Sequence, residues 1–345
     1  MRVLHLISSS GVYGAEKMVV GLCEALPQHG VTASLVVFDN RHAPNLEVAD
    51  YARQFGVPVR LLRCGGRFDP GTVVHLRKVI REARADLLHV HGFKANLYGF
   101  LATRLGVPIV ATNHRFDMGP QNRFDRPTLR RMDAVYAVSD EARDSLRTEY
   151  GVRATTIPNG VDPRDFTGVT PSLDLPGPLV GMVARLAPEK APEDFLAIAA
   201  AIPDATFVVV GDGPLRAPLA AATGPNARFL GFREDMPGVY ASLDVLVQPS
   251  LREGMPMTIL EAMASGLPVV ATRVGAAGDV IDNGGTGMLV PARDVAAMTA
   301  AVRSLLRDDH GIGAAARQEV ARNYTVDVMA GRYADAYRSV LGRTF

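Results

Sequence analysis

Residues 244–272 read DVLVQPSLREGMPMTILEAMASGLPVVAT, and this stretch determines the fold class. Two short apolar runs, Asp244–Gln248 and Pro268–Ala271, predict buried strands because they are brief and rich in β-branched residues. Between them, Met257–Ala264 predicts a helix. A strand, a helix and a second strand joined by short turns predict a parallel βαβ unit.

The same alternation of strands and helices extends over the rest of the chain. Further strands are predicted at Val3–Ile7, Ala33–Phe38, Pro58–Leu62, Leu87–Val90, Pro108–Thr112, Ala134–Val138, Ala154–Ile157, Leu179–Ala184, Thr206–Val210, Ala227–Leu230 and Met288–Val290. Helices are predicted between them at Glu16–Gln28, Val73–Arg84, Asp140–Tyr150, Ala191–Ala201 and Val295–Arg307. We therefore expect an α/β protein with doubly wound parallel sheets, which bind ligands at the carboxyl ends of their strands.

The length of 345 residues suits two such domains. The run Asp162–Pro178 contains four prolines and predicts an interdomain linker. We expect a first domain over residues 1–168 and a second over 175–325, with their strand ends facing a central cleft. Residues 326–345 form a helical pattern that we expect to cross back to the first domain.

Composition excludes several classes of protein. Lys and Arg total 37 and Asp and Glu total 36, which is too balanced for a general nucleic-acid binder. The two cysteines, Cys23 and Cys64, make no disulfide framework and favour a reducing cytoplasm. No apolar run reaches the ~20 residues that span a bilayer, and residues 1–10 fit a strand rather than a secretion signal. Any membrane contact is expected to be peripheral.

The first candidate site is residues 8–16, SSSGVYGAE, which follow the first strand and open a helix. Glycines such as Gly14 let a backbone approach a phosphate, and free N–H groups at a helix start favour anions. The spacing matches neither a dinucleotide fingerprint nor a P-loop. A tight structural turn is an equally good explanation.

The second candidate site is residues 181–190, GMVARLAPEK, which follow the first strand of the second domain. Arg185 and Lys190 can direct two positive charges at one point above the sheet. A diphosphate suits this pair, because Arg binds it with two hydrogen bonds and Lys adds a compact charge. The alternative is two solvated surface cations.

The third candidate site follows the strand Asp244–Gln248. Glu253 lies in the turn and Glu261 about two helical turns on, a separation of ~12 Å at a helical rise. This is the distance from a sugar across a diphosphate to a ribose, and the free N–H groups between the two carboxylates face the phosphates. The alternative is an exposed helix with two solvated glutamates.

These three segments together resemble the retaining GT-B glycosyltransferases of family 4, the "group 1" glycosyl transferases. Other segments match the family in order along the chain, from residue 3 to about residue 325. They are Asp86-x-x-His89-x-His91, Ile157-Pro158-Asn159-Gly160-Val161-Asp162, Val210-Gly211-Asp212-Gly213-Pro214 and Leu230-Gly231-Phe232. The chain departs from the usual sequence pattern of the family at Tyr13, Ala191 and Gly278-Asp279. These departures affect the geometry of loops rather than the arrangement of the charged residues.

The resemblance implies a role for each matching residue. Glu253 would bind the hydroxyls of the donor sugar, Glu261 the ribose, and Arg185 with Lys190 the leaving diphosphate. His91 would contact the reacting sugar, with a histidine that only packs in the core as the alternative. Phe232 or its neighbours would line the base pocket. The substrate-binding set also includes Gly14, Asn159, Gly254, Met255, Pro256, Met257 and Thr258.

The implied reaction is transfer of a sugar from a UDP-sugar or GDP-sugar with retention of configuration. No acidic D-x-D cluster is present, so we expect no metal and no other cofactor. His114, Arg115 and Arg123 begin a basic stretch that would contact a glycan or lipid-linked acceptor, with a solvated helix as the alternative. The expected location is the cytoplasm, with peripheral contact at the inner face of the membrane.

Two other functions remain open at this point. One is a sugar-nucleotide epimerase or hydrolase on the same fold. The other is a non-catalytic partner that only binds nucleotide or glycan, although Arg185, Lys190, Glu253 and Glu261 are all intact.

Overall fold

The computed structural model describes residues 1–9, 11–41, 45–66, 69–103, 106–114, 122–221 and 223–342. The chain divides into two compact units. The first unit contains Met1–Gly160 together with Val326–Phe345, and the second unit contains Val161–Thr325.

The first unit contains a seven-stranded sheet in which every pairing is parallel. Its strands are β1 (Arg2–Ile7), β2 (Thr32–Asn40), β3 (Val59–Cys64), β4 (Leu87–His91), β5 (Ile109–Asn113), β6 (Ala134–Ala137) and β7 (Thr155–Thr156), in the order β3-β2-β1-β4-β5-β6-β7. Its helices are α1 (Gly14–Ala25), α2 (Glu47–Gln54), α3 (Pro70–Ala83), α4 (Phe93–Thr103), α5 (Asn122–Leu129) and α6 (Asp140–Tyr150). The strand order reverses between β1 and β4, where ligands of such sheets bind.

The second unit contains a parallel sheet of six strands. These are β8 (Leu179–Val183), β9 (Thr206–Val210), β10 (Ala227–Gly231), β11 (Val245–Gln248), β12 (Val269–Thr272) and β13 (Met288–Val290), in the order β10-β9-β8-β11-β12-β13. Its helices are α7 (Pro192–Ala201), α8 (Arg216–Ala221), α9 (Met236–Ser242), α10 (Met257–Ser265), α11 (Ala277–Val280), α12 (Val295–Arg307) and α13 (Ile312–Asn323). The reversal here lies between β8 and β11, so the loops after these two strands become neighbours.

The last helix of the chain, α14 (Val326–Gly342), belongs to the first unit. Its apolar face joins the core that includes α1 and one face of the sheet. Tyr333 and Tyr337 of this face are fully buried. The core of the first unit is therefore built from both ends of the chain.

The predicted α/β class with two parallel sheets is confirmed. Each predicted strand is present with ends shifted by at most two residues, because short apolar β-branched runs have few other ways to be buried. Several helices were not predicted, among them α4, whose sequence FKANLYGFLAT has no continuous polar side.

The proline-rich run 162–178 is held against the second unit rather than left free. Ser172 N donates to Gly238 O at 3.1 Å and to Ser242 Oγ at 2.9 Å. The Phe166 ring lies 6.0 Å from the Tyr240 ring, edge to face. The compact second unit consequently begins at Val161, before the residue 175 that we expected.

Candidate functional site

The centre of the candidate site is an ion pair between Lys190 and Glu253 in the second unit. Lys190 ends a 3₁₀ turn that follows β8, and Glu253 lies in the turn that follows β11. The pairing of these two strands brings the residues together although 63 positions separate them. Lys190 Nζ lies 2.6 Å from Glu253 Oε1 and 2.7 Å from Oε2.

Further hydrogen bonds fix the Glu253 carboxylate. Its Oε1 also accepts from Gln248 Nε2 at 2.6 Å and from Ser250 Oγ at 2.7 Å. Gln248 is itself oriented, because its Oε1 accepts from Thr258 Oγ1 at 2.8 Å. Among the hydrogen bonds of the described residues, Oε2 receives one donor, Lys190, so this oxygen retains capacity for a ligand hydroxyl.

The backbone around Glu253 is held just as closely. Gly275 has a φ of +56°, and a Cβ there would lie 2.4 Å from the Glu253 carbonyl oxygen. Ala276 N donates to Gly254 O at 2.9 Å. A side chain at position 275 would displace the loop that carries Glu253.

Arg185 lies on the same loop as Lys190 but has a different partner. Its Nη2 donates to Glu189 Oε1 at 2.6 Å, and 61% of its side chain is exposed. Lys190 is 22% exposed and Glu253 7% exposed. Arg185 can therefore turn towards a ligand at little energetic cost, whereas Lys190 is already held in place.

Glu261, in the second turn of α10, is oriented by a buried tyrosine. Tyr240 OH donates to Glu261 Oε2 at 2.7 Å, and Tyr240 is 1% exposed. Burial raises the pKa of Tyr240 well above its ordinary value, and the nearby Glu261 charge raises it further. The phenol therefore remains a neutral donor, and it leaves Glu261 Oε1 available.

The remaining predicted residues of the second unit surround this network. Gly254, Met255 and Pro256 form the turn before α10, and Met257 and Thr258 begin the helix. The start of a helix favours an anion, because the positive end of the helix dipole lies there. Phe232 follows β10 and is 69% exposed, so its ring face can stack on a base.

Two predicted residues of the first unit have well-defined surroundings. Gly14 is the first residue of α1, and Tyr13 N just before it donates to Glu16 Oε2 at 3.1 Å. Glu16 therefore caps the helix start. Asn159 is 4% exposed and lies next to the last residue of the main segment of this unit.

His91 forms the middle of a chain of three histidines. Its Nε2 lies 3.1 Å from His5 Nδ1, and its Nδ1 lies 3.0 Å from His114 Nε2. His5 is on β1 next to β4, and His114 follows β5 on the other side. Both ring nitrogens of His91 therefore contact histidines, and its predicted contact with a sugar stays a prediction.

A fourth histidine, His89, is bound by different partners. Its Nδ1 lies 2.7 Å from Tyr337 OH and its Nε2 2.7 Å from Thr112 Oγ1. Burial lowers the pKa of His5 to about 3 and of His114 to about 4, and it lowers the pKa values of His89 and His91 well below their ordinary range. All four rings are therefore neutral at pH 7.

Nitrogen atoms of His5, His89 and His91 lie within 4.8 Å of one another, which is close enough to suggest a metal site. The ring geometry argues against it. The His5 and His91 rings are within 7° of parallel, with centroids 5.4 Å apart and nitrogens 3.1 Å apart. The distance between the ring centroids exceeds the distance between the nitrogens by 2.3 Å, which is twice the distance from the centre of an imidazole ring to its nitrogen. The two ring centres and the two nitrogens therefore lie on one line, and the nitrogens point at each other. Metal ligands instead direct their lone pairs at a common point.

The acceptor-side residues are only partly described. Arg115 lies outside the described residues, as does the side chain of Arg123. Of the basic residues that follow, Arg130 Nε donates to Tyr150 O at 2.8 Å and Arg131 Nη1 to Pro127 O at 3.0 Å. These two arginines support the backbone of the first unit.

Sequence reasoning missed Gln248, Ser250, Tyr240 and His5. Gln248 carries a detectable signal, since it is a polar residue at the carboxyl end of a buried strand. Tyr240 and His5 carry none, because their partners are distant in sequence. No helix in the described part of the chain is both long and apolar enough to cross a membrane.

Comparison with family models identifies both units. Residues 12–165 match the model described as Glycosyltransferase Family 4, and residues 177–308 match the model described as Glycosyl transferases group 1. The first match ends at residue 165 and the second begins at residue 177, so each match covers most of one unit.

Two curated relatives align over most of the chain. A phosphatidyl-myo-inositol mannosyltransferase of Mycolicibacterium smegmatis is 32% identical, covering 95% of this chain and 91% of its own. A UDP-Gal:alpha-D-GlcNAc-diphosphoundecaprenol alpha-1,3-galactosyltransferase of Escherichia coli is 28% identical, covering 86% and 85%. The crystal structure of Anabaena HepE in complex with UDP-glucose has a TM-score of 0.83 at 21% identity, covering 98% of this chain and 99% of that one, and shows the same fold.

Proposed function

The chain belongs to the family 4, or group 1, glycosyltransferases, and from this we propose that it transfers a sugar from an NDP-sugar to a glycan, glycolipid or small-molecule acceptor in the synthesis of an envelope glycan or glycoconjugate. The observation that carries the proposal is the Lys190–Glu253 pair at the carboxyl edge of the second sheet. In this pair, a cation of the kind that binds phosphate lies beside a carboxylate of the kind that accepts hydrogen bonds from sugar hydroxyls, which supports the proposal.

The chemistry follows from where charge develops. Breaking the bond between the anomeric carbon and oxygen leaves negative charge on the diphosphate and positive charge on the sugar. Lys190 and Arg185, with the N–H groups at the start of α10, are the groups that would stabilise the diphosphate. Because these cations supply the charge that a metal ion would supply, we propose a reaction that needs no metal.

The donor is proposed to lie along the carboxyl edge of the second sheet. Glu253 Oε2 accepts a hydrogen bond from a hydroxyl of the sugar, and Glu261 Oε1 accepts one from a hydroxyl of the ribose. The exposed face of Phe232 stacks on the base. For the family the usual course is attack on the same face with retention, in which a phosphate oxygen takes the proton of the acceptor. We propose that course here.

The acceptor is proposed to be a lipid-linked glycan or a glycolipid. The names of the Mycolicibacterium and Escherichia relatives refer to a phosphatidyl-inositol and to a diphosphoundecaprenol acceptor, which supports this class. With such an acceptor, we propose that the enzyme works at the cytoplasmic face of the membrane.

The test is a transfer assay with chelator. The protein is incubated with UDP- and GDP-sugars, with and without a polyprenyl-diphosphate-linked sugar or a phosphatidylinositol, in excess EDTA. We expect a glycosylated lipid whose new linkage has the anomeric configuration of the donor. Free sugar or an epimerised donor at the same rate without acceptor would instead identify a hydrolase or epimerase. Loss of transfer in EDTA would contradict metal independence.

A further inference from the structure

Lys94 is a cation of the first unit that has neutral groups around its charge. It is the second residue of α4 and is half-buried. Its Nζ donates to Oδ1 of Asn40 and lies 4.6 Å from the centre of the Phe38 ring and 5.9 Å from that of Tyr98. Among the described residues, no carboxylate forms an ion pair with this ammonium. Removing a charge from water without a counter-charge is costly, so the group is suited to an anionic ligand.

The ammonium also orients the amide of Asn40, the last residue of β2. Lysine can only donate hydrogen bonds, so the amide must present its oxygen to Nζ, and its Nδ2 points elsewhere. Nδ2 makes no hydrogen bond within the described part of the chain, and it is not one of the unpaired atoms that are covered from water. A charged donor and a neutral donor therefore lie side by side, and both can donate to the oxygens of one anion.

Strand order places these two donors at the carboxyl edge of the first sheet. β2 and β4 are the two neighbours of β1. The Lys94 side chain begins just after β4 and ends at the last residue of β2, so it passes over the carboxyl end of β1. This is beside the reversal of strand order, where open α/β sheets bind ligands. The positive end of the α4 dipole lies at the same place and also favours an anion.

The neighbouring Cys64, the last residue of β3, shows that these surroundings favour negative charge. Its thiol donates to Gly66 O at 3.1 Å. Burial raises the pKa of this thiol, but hydrogen bonds from Thr72, from the Gly66 backbone and from Lys94 outweigh burial, so the pKa is lowered. Donors that favour a buried thiolate also favour the oxygens of an anionic ligand.

We propose that Lys94 and the Asn40 amide bind a phosphate ester of the sugar acceptor. The inference rests on the proposed function, which supplies the acceptor as the substrate. The diphosphate of the donor is not assigned to this place, because the cations proposed for it, Arg185 and Lys190, both lie in the second unit. The phosphate would belong either to a polyprenyl diphosphate or to a phospholipid headgroup, and experiment distinguishes the two.

The test is a calorimetric titration of protein saturated with UDP, which fills the proposed donor site. The probes are geranyl diphosphate, dihexanoyl phosphatidylinositol and geraniol. We expect phosphorylated probe to bind and geraniol to bind at least about 10-fold more weakly, the effect of a hydrogen bond to a charged group. The phosphorylated probe that binds more tightly identifies the source of the phosphate. Failure of both phosphorylated probes to bind the wild type would overturn the proposal.

Two substitutions locate the binding. Lys94→Met keeps the apolar stem and removes the charge, whereas Asn40→Asp keeps the shape and places a carboxylate beside the phosphate. Each should weaken binding of the phosphorylated probe by about 10- to 100-fold. Lys78→Gln is the control, because Lys78 is 67% exposed in the same unit and lies 3.8 Å from Glu82.

Three results would overturn the assignment. They are wild-type affinity for the probe in folded Lys94→Met and Asn40→Asp, an equal loss in Lys78→Gln, and a loss of UDP affinity in Lys94→Met, which would assign the group to the donor.

Transfer kinetics separate this inference from the proposed function. Lys94→Met should raise the KM for a phosphorylated acceptor by about 10- to 100-fold and leave the KM for the donor unchanged. Equal acceptor KM values in folded Lys94→Met and wild-type protein would contradict the contact. The titration needs no turnover, so absence of transfer by the wild type would refute the proposed function, while binding of the phosphorylated probe at Lys94 would still stand.

Discussion

At the scale of single residues, Lys190 has two roles that substitution can separate. Its charge faces the place proposed for the diphosphate, and it also balances the buried carboxylate of Glu253. Arg185 shares the first role but not the second, since it is exposed and pairs with Glu189. Arg185 is consequently the matched control for Lys190.

We expect Lys190→Ala and Arg185→Ala each to lower kcat by about 100-fold, the scale of a lost charge-stabilising donor. Only Lys190→Ala should also lower the free energy of unfolding, by at most about 3 kcal/mol, because it leaves Glu253 without its counter-charge. Transfer assays and urea unfolding of both variants measure the two effects. Full activity in folded Lys190→Ala would refute the assignment of the site.

Tyr240 acts through Glu261, and its hydroxyl can be removed without removing its packing. We expect Tyr240→Phe to weaken UDP binding by about 5- to 10-fold, the effect of losing one hydrogen bond that orients a carboxylate, with kcat little changed. Calorimetric titration with UDP measures this. Tyr324→Phe is the control, since its hydroxyl donates to Asp279 O at 3.0 Å and does not contact Glu261. Equal UDP affinity in both variants would contradict the ribose role of Glu261.

At the scale of elements, β1, β4 and β5 place four histidines on one layer that α14 covers. The groups packed nearest to them are Tyr136, Tyr333, Tyr337 and Thr112, and none of these carries a charge at neutral pH. Burial raises the pKa values of Tyr333 and Tyr337, so these phenols remain neutral. Among the described residues of this layer, no group compensates an imidazolium charge.

This layer predicts how stability depends on pH. The histidine pKa values are lowered in the folded protein, to about 3 for His5 and about 4 for His114, whereas the unfolded chain titrates near 6.5. Stability from these groups is therefore complete above pH 6.5 and is lost as the pH falls towards 4, because the unfolded state binds more protons. Each histidine contributes up to about 1.4 kcal/mol per pH unit, and the partly exposed His114 contributes least.

Urea unfolding at pH 7.5, 6.5 and 5.5 checks this expectation. The slope of the free energy of unfolding against pH should become less steep in His5→Phe, by the amount that corresponds to about one bound proton. The control His310→Gln removes an exposed histidine and should leave the slope nearly unchanged. A free energy of unfolding that is constant from pH 7.5 to 5.5 would show that the buried rings take up protons as readily as in the unfolded chain, which contradicts their lowered pKa values.

Strands could be predicted from the sequence better than helices, and the reason is physical. A strand that is buried on both faces appears in the sequence as a short apolar run, as at Thr206–Val210. Few other structures bury such a run completely, so the prediction of a strand is secure. A helix is predicted from its amphipathic period, and α4 lacks one because it packs against α3, α5 and the sheet. Helices surrounded by other elements lose the pattern by which they are recognised.

At the scale of the whole molecule, the residues proposed for the donor belong to one unit of the chain. Lys190, Glu253, Glu261 and Phe232 all lie within Val161–Thr325. A ligand that binds only the folded form of this unit raises its melting temperature.

We expect UDP or GDP, and the corresponding NDP-sugar, to raise Tm in a thermal-shift panel, with a gain of about 2.7 kcal/mol at a concentration of 100 times Kd. The base that gives the larger shift identifies the donor. The shift should shrink in Glu261→Ala and persist in His114→Phe, which belongs to the first unit. Tm values that do not change when any of these nucleotides is added would contradict donor binding.

The sequence alone determined the α/β class, the two parallel sheets and the identity of the charged residues at the strand ends. These features are local, since they depend on periodicity, on turns and on short motifs such as the one from Ser250 to Glu261. The family resemblance added the reaction class, which the family models and relatives then supported.

Only the tertiary structure decided which residues meet. Strand order places β8 beside β11 and so joins Lys190 to Glu253, and it places β1 and β5 on either side of β4 and so joins His5, His91 and His114. The return of α14 makes those rings a buried layer. Such contacts link residues separated by 23 to 248 positions, so they depend on how the strands are ordered rather than on any local pattern in the chain.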